Sequence, residues 1–316
     1  MIKRRIWWSL SALIFIIAAI VLYISLQRHL LVSIQNVSLS ALSYLIMIRV
    51  VFLVLNGILL REFTLKYRIT LMPKEWFGLS VVTTMGNFIT PFSGGLIARA
   101  TYLKHRYAFS YAKFASLLTA NYLIYFEVIA IAGLITLMAS PEKPIYYWQM
   151  ALFFVMVIII VSTLVMFPSS KRLPWHNRLA TIINDSLEGW VLIKSDKILL
   201  GKLMLYTFVS ILLHGFSFWI AFFALKGEAV SFGPVFLVSL LSIFSLIGNI
   251  TPGNLGIQEA IVSISSEILG IGAGLGLLAS LLIRVATLIP TFTLGPIFSF
   301  VLTRELAGNK NRNDDK

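Results

Sequence analysis

Two stretches, Gly86-Asn87-Phe88-Ile89-Thr90-Pro91-Phe92-Ser93-Gly94 and Gly248-Asn249-Ile250-Thr251-Pro252-Gly253-Asn254-Leu255-Gly256, interrupt apolar blocks with nearly the same string of Gly, Asn and Pro. Glycine lets backbones approach closely, and proline removes an amide donor and ends a helix. A helix broken this way inside an apolar block frees several backbone polar groups. At membrane depth such groups are tolerated only where protein or water satisfies them. The two segments, Glu75 to Leu103 and Pro234 to Leu269, therefore read as broken or re-entrant helices that line a cavity.

The rest of the chain makes membrane depth the right setting. Of its 316 residues 58% are hydrophobic and only 12% charged, against about 25% charged in soluble domains; the mean hydropathy is +0.89. Six apolar blocks are long enough to cross a hydrocarbon layer as helices: Ile6–Leu26, Leu39–Leu60, Phe114–Met138, Gln149–Phe167, Leu203–Leu225 and Leu275–Leu302. The expected fold is an all-α polytopic membrane protein with about six full spans plus two broken segments. Met1-Ile-Lys-Arg-Arg5 ahead of the first block resembles a signal peptide. The block is too long and lacks a small-residue cleavage site, so it is expected to be retained.

A net charge of +13 raises the question of nucleic acid, but the Lys and Arg residues fall in short runs between apolar blocks. Membrane topology accounts for them, and no nucleic-acid partner is expected. Arg61, Lys66, Arg68 and Lys74 precede the first broken segment, and Arg99, Lys104, Arg106 and Lys113 lie at or beyond its end. Both of its ends are thereby assigned to the cytoplasm. Pro141–Trp148 then lies outside, the basic stretch Lys171–Lys202 inside, and Arg304, Lys310 and Arg312 inside again. Both termini are expected in the cytoplasm, and the cell inner (cytoplasmic) membrane is the expected location. Three crossings per half would insert the second half upside down, which predicts an inverted repeat of residues 1–138 and 139–316. Gly86 and Gly248 are 162 residues apart, about half the chain.

Residues 174–194 differ in character: Leu179, Ile182, Ile183, Leu187, Trp190 and Val191 share one helical face, which predicts an amphipathic interfacial helix tethering the loop between the halves. Trp7, Trp8, Trp76, Tyr146, Tyr147 and Trp148 read as interfacial anchors.

Polar residues buried in the spans are the candidate site. Arg49 sits halfway along the second span, where an arginine costs about 2.5 to 3.5 kcal/mol to insert. Arg284 is similarly embedded in the last span. A phosphate would suit both guanidinium groups; an internal ion pair with Glu127 or Glu259 is the alternative. The candidate substrate-binding set is Arg49, Asn87, Pro91, Gly95, Arg99, Asn121, Asn249, Pro252, Gly256, Glu259 and Arg284. Glu127 and His214 are candidates for proton coupling, with interhelical hydrogen bonding as the plainer reading of His214 and of Asn121.

There is no cysteine, no paired His, no Walker loop, no G-x-S-x-G elbow and no D-x-D pair. The chain is therefore expected not to be an enzyme, and no cofactor or metal is expected.

At these motifs the sequence resembles the transmembrane region of lysylphosphatidylglycerol synthases, a flippase-like family also found as stand-alone membrane proteins. Pro252-Gly253-Asn254-Leu255-Gly256-Ile257-Gln258-Glu259-Ala260 is similar to the family's Pro-Gly…Gly-x-x-Glu-Ala signature, followed by Arg284, Pro290 and Gly295 at fitting intervals. In the first half Pro91, Gly95 and Arg99 suit its Pro…Gly…Arg pattern. Two positions depart: Leu96 stands where the family often has an acid, and Asn121-Tyr122 where many members carry Glu-Arg. The resemblance implies a lipid flippase or related transporter moving a polar or anionic lipid (phospholipid, aminoacyl-phospholipid or lipid-linked sugar) by alternating access. Arg99 would lie near the inner mouth, Arg49 centrally and Arg284 toward the outside. Only the tail Ala307–Lys316 follows the last span, so synthase activity is not expected. The partner is then a membrane lipid as substrate, with a homo-oligomer or an envelope-biosynthesis partner left open. The rival readings are a membrane-embedded transferase acting on a lipid-linked substrate, using Glu127, Glu259 or His214, and a cell-envelope scaffold.

Overall fold

The computed structural model describes residues 28–140, 145–166, 184, 191, 193–248 and 250–314. The expected first span Ile6–Leu26, nearly all of the amphipathic segment 174–194, and Asn249 lie outside the described residues. Among the described residues all regular structure is helical: α1 Arg28–Gln35, α2 Leu39–Lys66, α3 Pro73–Ile89, α4 Gly94–Tyr107, α5 Tyr111–Ala139, α6 Tyr147–Met166, α7 Lys197–Lys226, α8 Phe232–Ile243, α9 Ile257–Ile268 and α10 Ala273–Asp314. Five of these (α2, α5, α6, α7 and the Ala273–Ala307 part of α10) are long and apolar enough to cross a membrane. They coincide with the five expected spans that fall on described residues.

Local chemistry sets the ends of these helices. Ser38 and Ser110 cap α2 and α5 by accepting the amides of Ala41 and Lys113, and Asp196 caps α7 by accepting that of Leu199. Pro73 opens α3, and the Glu75 carboxylate reaches back to the Met72 amide at 2.9 Å. Small residues let the spans approach: a Cβ at Gly57 would collide with Trp76, and one at Gly215 with Phe236.

Both broken segments are helical hairpins. α3 packs on α4, and α8 packs on α9. The long helix α10 shows how they are oriented. At the C-terminal end of α10, Lys74 and Arg106 both pair with Glu305, and Gly78 lies against Phe298. Further along α3, Met85 packs on Gly295. At Arg284, the twelfth of the 42 residues of α10, Phe88 from the first break meets Gly253 from the second. Glu259 of α9 binds the same Arg284, and nearer the α10 N-terminus Ser266 packs on Gly276. The first hairpin thus opens at one end of α10 and the second at the other, and their tips meet between.

The first hairpin's open end is the basic end of the bundle. The C-terminal end of α2 and the N-terminal end of α7 join it through Lys66 to Asp196 (2.9 Å) and Lys202 to Glu62 (3.0 Å).

Candidate functional site

The two breaks share one backbone device. In the first, Thr90 is extended ahead of Pro91, and Phe92 and Ser93 both take left-handed backbone (φ 54° each). In the second, Thr251 is extended ahead of Pro252, and Gly253 and Asn254 are both left-handed (φ 57° and 60°). A residue before proline favours extended backbone, and a left-handed residue other than glycine is uncommon and carries strain. The turns align at 251 − 90 = 161 residues rather than the 162 that separates Gly86 from Gly248, because the first copy has one more residue between its Asn and its Thr.

Each break launches a helix whose first turn carries site residues. α4 begins at Gly94, and a Cβ at Gly95 would collide with the Thr83 carbonyl oxygen, so α4 lies tightly on α3. That approach brings Arg99 onto Thr83. Its Nε donates to Thr83 Oγ1 at 2.8 Å and its Nη2 to Asn56 Oδ1 of α2 at 3.0 Å. Arg99 is only 7% exposed, and both of these partners are uncharged.

Arg99 lines a cavity of about 230 Å³ walled by α2, α3, α4, α5 and α7. Asn87 and Ser93 of the first break and Leu246, just ahead of the second, reach it. Of the expected site residues, Asn87, Arg99 and Asn121 meet here. Leu96 and Tyr122 line the same wall, so the departures from the resembled family's pattern converge on one cavity. The sequence reading passed over Asn56, Thr83 and Tyr125. Asn56 had a signal: it stands seven residues after Arg49 and so shares a helical face with it. Asn87 Oδ1 is buried and accepts no hydrogen bond among the described residues.

Arg49 sits next to this cavity, its Cζ 4.8 Å from the centroid of the Phe52 ring, which itself lines the wall. It is 8% exposed, and its Nε and Nη2 find no acceptor among the described residues. For Arg49 the internal ion pair with Glu127 or Glu259 is not formed. Glu127 instead accepts from the Ser162 hydroxyl at 3.0 Å, tying α5 to α6.

Arg284 has a different environment. Its Nε donates to Glu259 Oε1 at 2.8 Å, Nη2 lies 2.6 Å from the same oxygen, and Nη1 donates to the Gly253 carbonyl at 2.7 Å. Glu259 is 2% exposed, and its other oxygen accepts the Gly256 amide at 2.7 Å. Gly256 takes φ 87°, a backbone that glycine adopts without strain. Arg284 therefore holds the second break closed around its carboxylate. The expected line of three arginines is divided: Arg99 and Arg49 attend the cavity, while Arg284, Glu259, Pro252 and Gly256 form a neutralised junction outside its lining. Pro91 belongs to the turn of the first break.

His214 bridges α7 to α8, its Nε2 2.9 Å from Ser242 Oγ, with Phe52 and Phe218 edge-on to the ring. At the first hairpin's mouth Glu75 is fully buried and accepts the hydroxyls of Tyr102 (2.9 Å) and Tyr107 (2.6 Å). Its position in the first turn, two residues after Pro73, carried only a helix-start signal in the sequence.

The family model described as Lysylphosphatidylglycerol synthase TM region matches residues 6–295. No curated protein and no solved structure matches the chain.

Proposed function

Because the chain belongs to the lysylphosphatidylglycerol synthase TM region family, we propose that this multi-pass membrane protein is a flippase or related transporter that moves a polar or anionic lipid across the cytoplasmic membrane. The observation that carries the reading is the meeting of two broken hairpins, entering from opposite ends of α10, beside a cavity with polar groups in its wall. Discontinuous helices facing each other across a midplane site are a recurrent transporter design. The repeated turn, Thr-Pro followed by two left-handed residues, supports an inverted duplication in which the halves rock about the Phe88, Gly253 and Arg284 contact. The positive-inside rule assigns the basic end, with the first hairpin's mouth, to the cytoplasm. The cavity wall offers hydrogen-bonding groups and one cation, which suits the binding of a polar or anionic headgroup.

In vesicles holding the purified chain and a fluorescent lipid, Arg284→Ala or Glu259→Ala is expected to abolish translocation while the chain still inserts. Removing one partner of a buried pair strands the other charge, so the double variant Glu259→Gln with Arg284→Gln controls for instability. Unchanged lipid movement in all three variants would overturn the assignment.

A further inference from the structure

The cavity's charge balance points to a cargo class. We infer that its ligand is the headgroup of an anionic lipid, a phosphodiester bearing an uncharged hydroxylated substituent such as glycerol, inositol or a sugar, and that amine-bearing headgroups are excluded. The inference rests on the transport reading for its physiological meaning, but not for its binding chemistry.

The molecule supplies its own comparison between buried arginines. Arg284 has its carboxylate, and the Glu259 oxygen that binds it leaves that junction neutral. Arg99 and Arg49 are also largely removed from solvent and have no carboxylate partner among the described residues. Arg99 spends two of its five donors on the neutral oxygens of Thr83 and Asn56. Arg49 has two buried donors with no acceptor among the described residues, one phenyl ring away from the cavity. A buried uncompensated charge is expensive unless paired, and a guanidinium matches phosphate oxygens in geometry as well as charge.

The remaining wall specifies what accompanies the phosphate. Its polar groups are amides and hydroxyls, among them Asn87, Asn121, Tyr122, Tyr125, Thr84 and Ser210, and no Asp or Glu stands in the described lining. Such groups donate to and accept from hydroxyls without requiring a charge. An ammonium there would face a guanidinium with no carboxylate to answer it, which is discrimination by repulsion. About 230 Å³ suits a small polar headgroup with its acyl or prenyl chains left in the surrounding lipid.

The test uses the full chain in vesicles carrying trace acyl-labelled phosphatidylglycerol, acyl-labelled phosphatidylethanolamine, or a labelled polyprenyl-phosphate sugar. Dithionite quenching follows movement between leaflets, and native mass spectrometry on the same preparation reads bound lipid. Phosphatidylglycerol, the polyprenyl-phosphate sugar or both should be moved and bound about tenfold in preference to phosphatidylethanolamine; which of them responds identifies the source. Arg99→Gln should remove that preference. Asn121→Asp or Leu96→Glu, which place a carboxylate on the wall, should bring the ratio towards one, with thermal unfolding confirming that each variant is folded. Selective binding without movement would leave the cargo class standing and sink the transport reading. Movement of all lipids at equal rates would do the reverse. Preference for phosphatidylethanolamine, no selective binding, or a ratio unmoved by the added carboxylates overturns the inference.

Discussion

Gly95 shows how much of this site depends on one missing atom. The Thr83 carbonyl occupies the place of its Cβ, so even alanine has to push α4 off α3. Overpacking of that kind costs about 1 to 3 kcal/mol. Gly95→Ala is expected to lower the thermal midpoint in detergent and, by moving Arg99 away from Thr83 and Asn56, to weaken lipid binding. A variant with the wild-type midpoint and wild-type binding would show that this contact is slack. The arginines illustrate the complementary lesson. Position in the apolar blocks marked Arg49 and Arg284 as residues needing an explanation, while Arg99 entered through the family resemblance. It did not say which would find a carboxylate, because Glu259 and Arg284 are 25 residues apart and meet only when α9 lies on α10.

The first hairpin is held at its mouth as well as at its tip. Glu75, with no exposure, takes the hydroxyls of Tyr102 and Tyr107 and the Met72 amide, and lies 3.6 Å from Arg106. This joins the start of α3 to the end of α4. Glu75→Ala strands several buried groups and the Arg106 charge, a loss of about 3 kcal/mol. Glu305, one-fifth exposed, holds Lys74 and Arg106 nearer the surface, and Glu305→Ala should cost no more than about 1 kcal/mol. Chemical or thermal unfolding in detergent that ranks Glu305→Ala as the more damaging would contradict this account of the hairpin. The broken segments were legible because Gly, Asn and Pro act locally. The burial of Glu75 was not, since an acid in the first turn after proline is equally at home on a solvated helix end.

Across the whole bundle, the opposed hairpins predict opposed accessibility. The chain has no cysteine, so a single introduced thiol is a unique label. A cysteine at exposed His105, by the first hairpin's mouth, should react with an impermeant maleimide only in inverted vesicles. One at exposed Glu228, ahead of the second hairpin, should react only in right-side-out vesicles. Labelling of both from one side would remove the duplication and, with it, the rocking mechanism.

Span lengths, the two interruptions and the clustering of basic residues at one end could be read from residue order alone. Each is governed by a free energy local to its segment: transfer of about 20 apolar residues to lipid, release of backbone groups at Gly and Pro, and retention of Lys and Arg on one side. The cavity, the absence of carboxylates from its described lining and the different fates of the three arginines depended on how the helices pack. Ion pairing and hydrogen bonding act over a few ångströms between residues tens to hundreds of positions apart. Periodicity tells which face of a helix a residue occupies, but not what lies opposite.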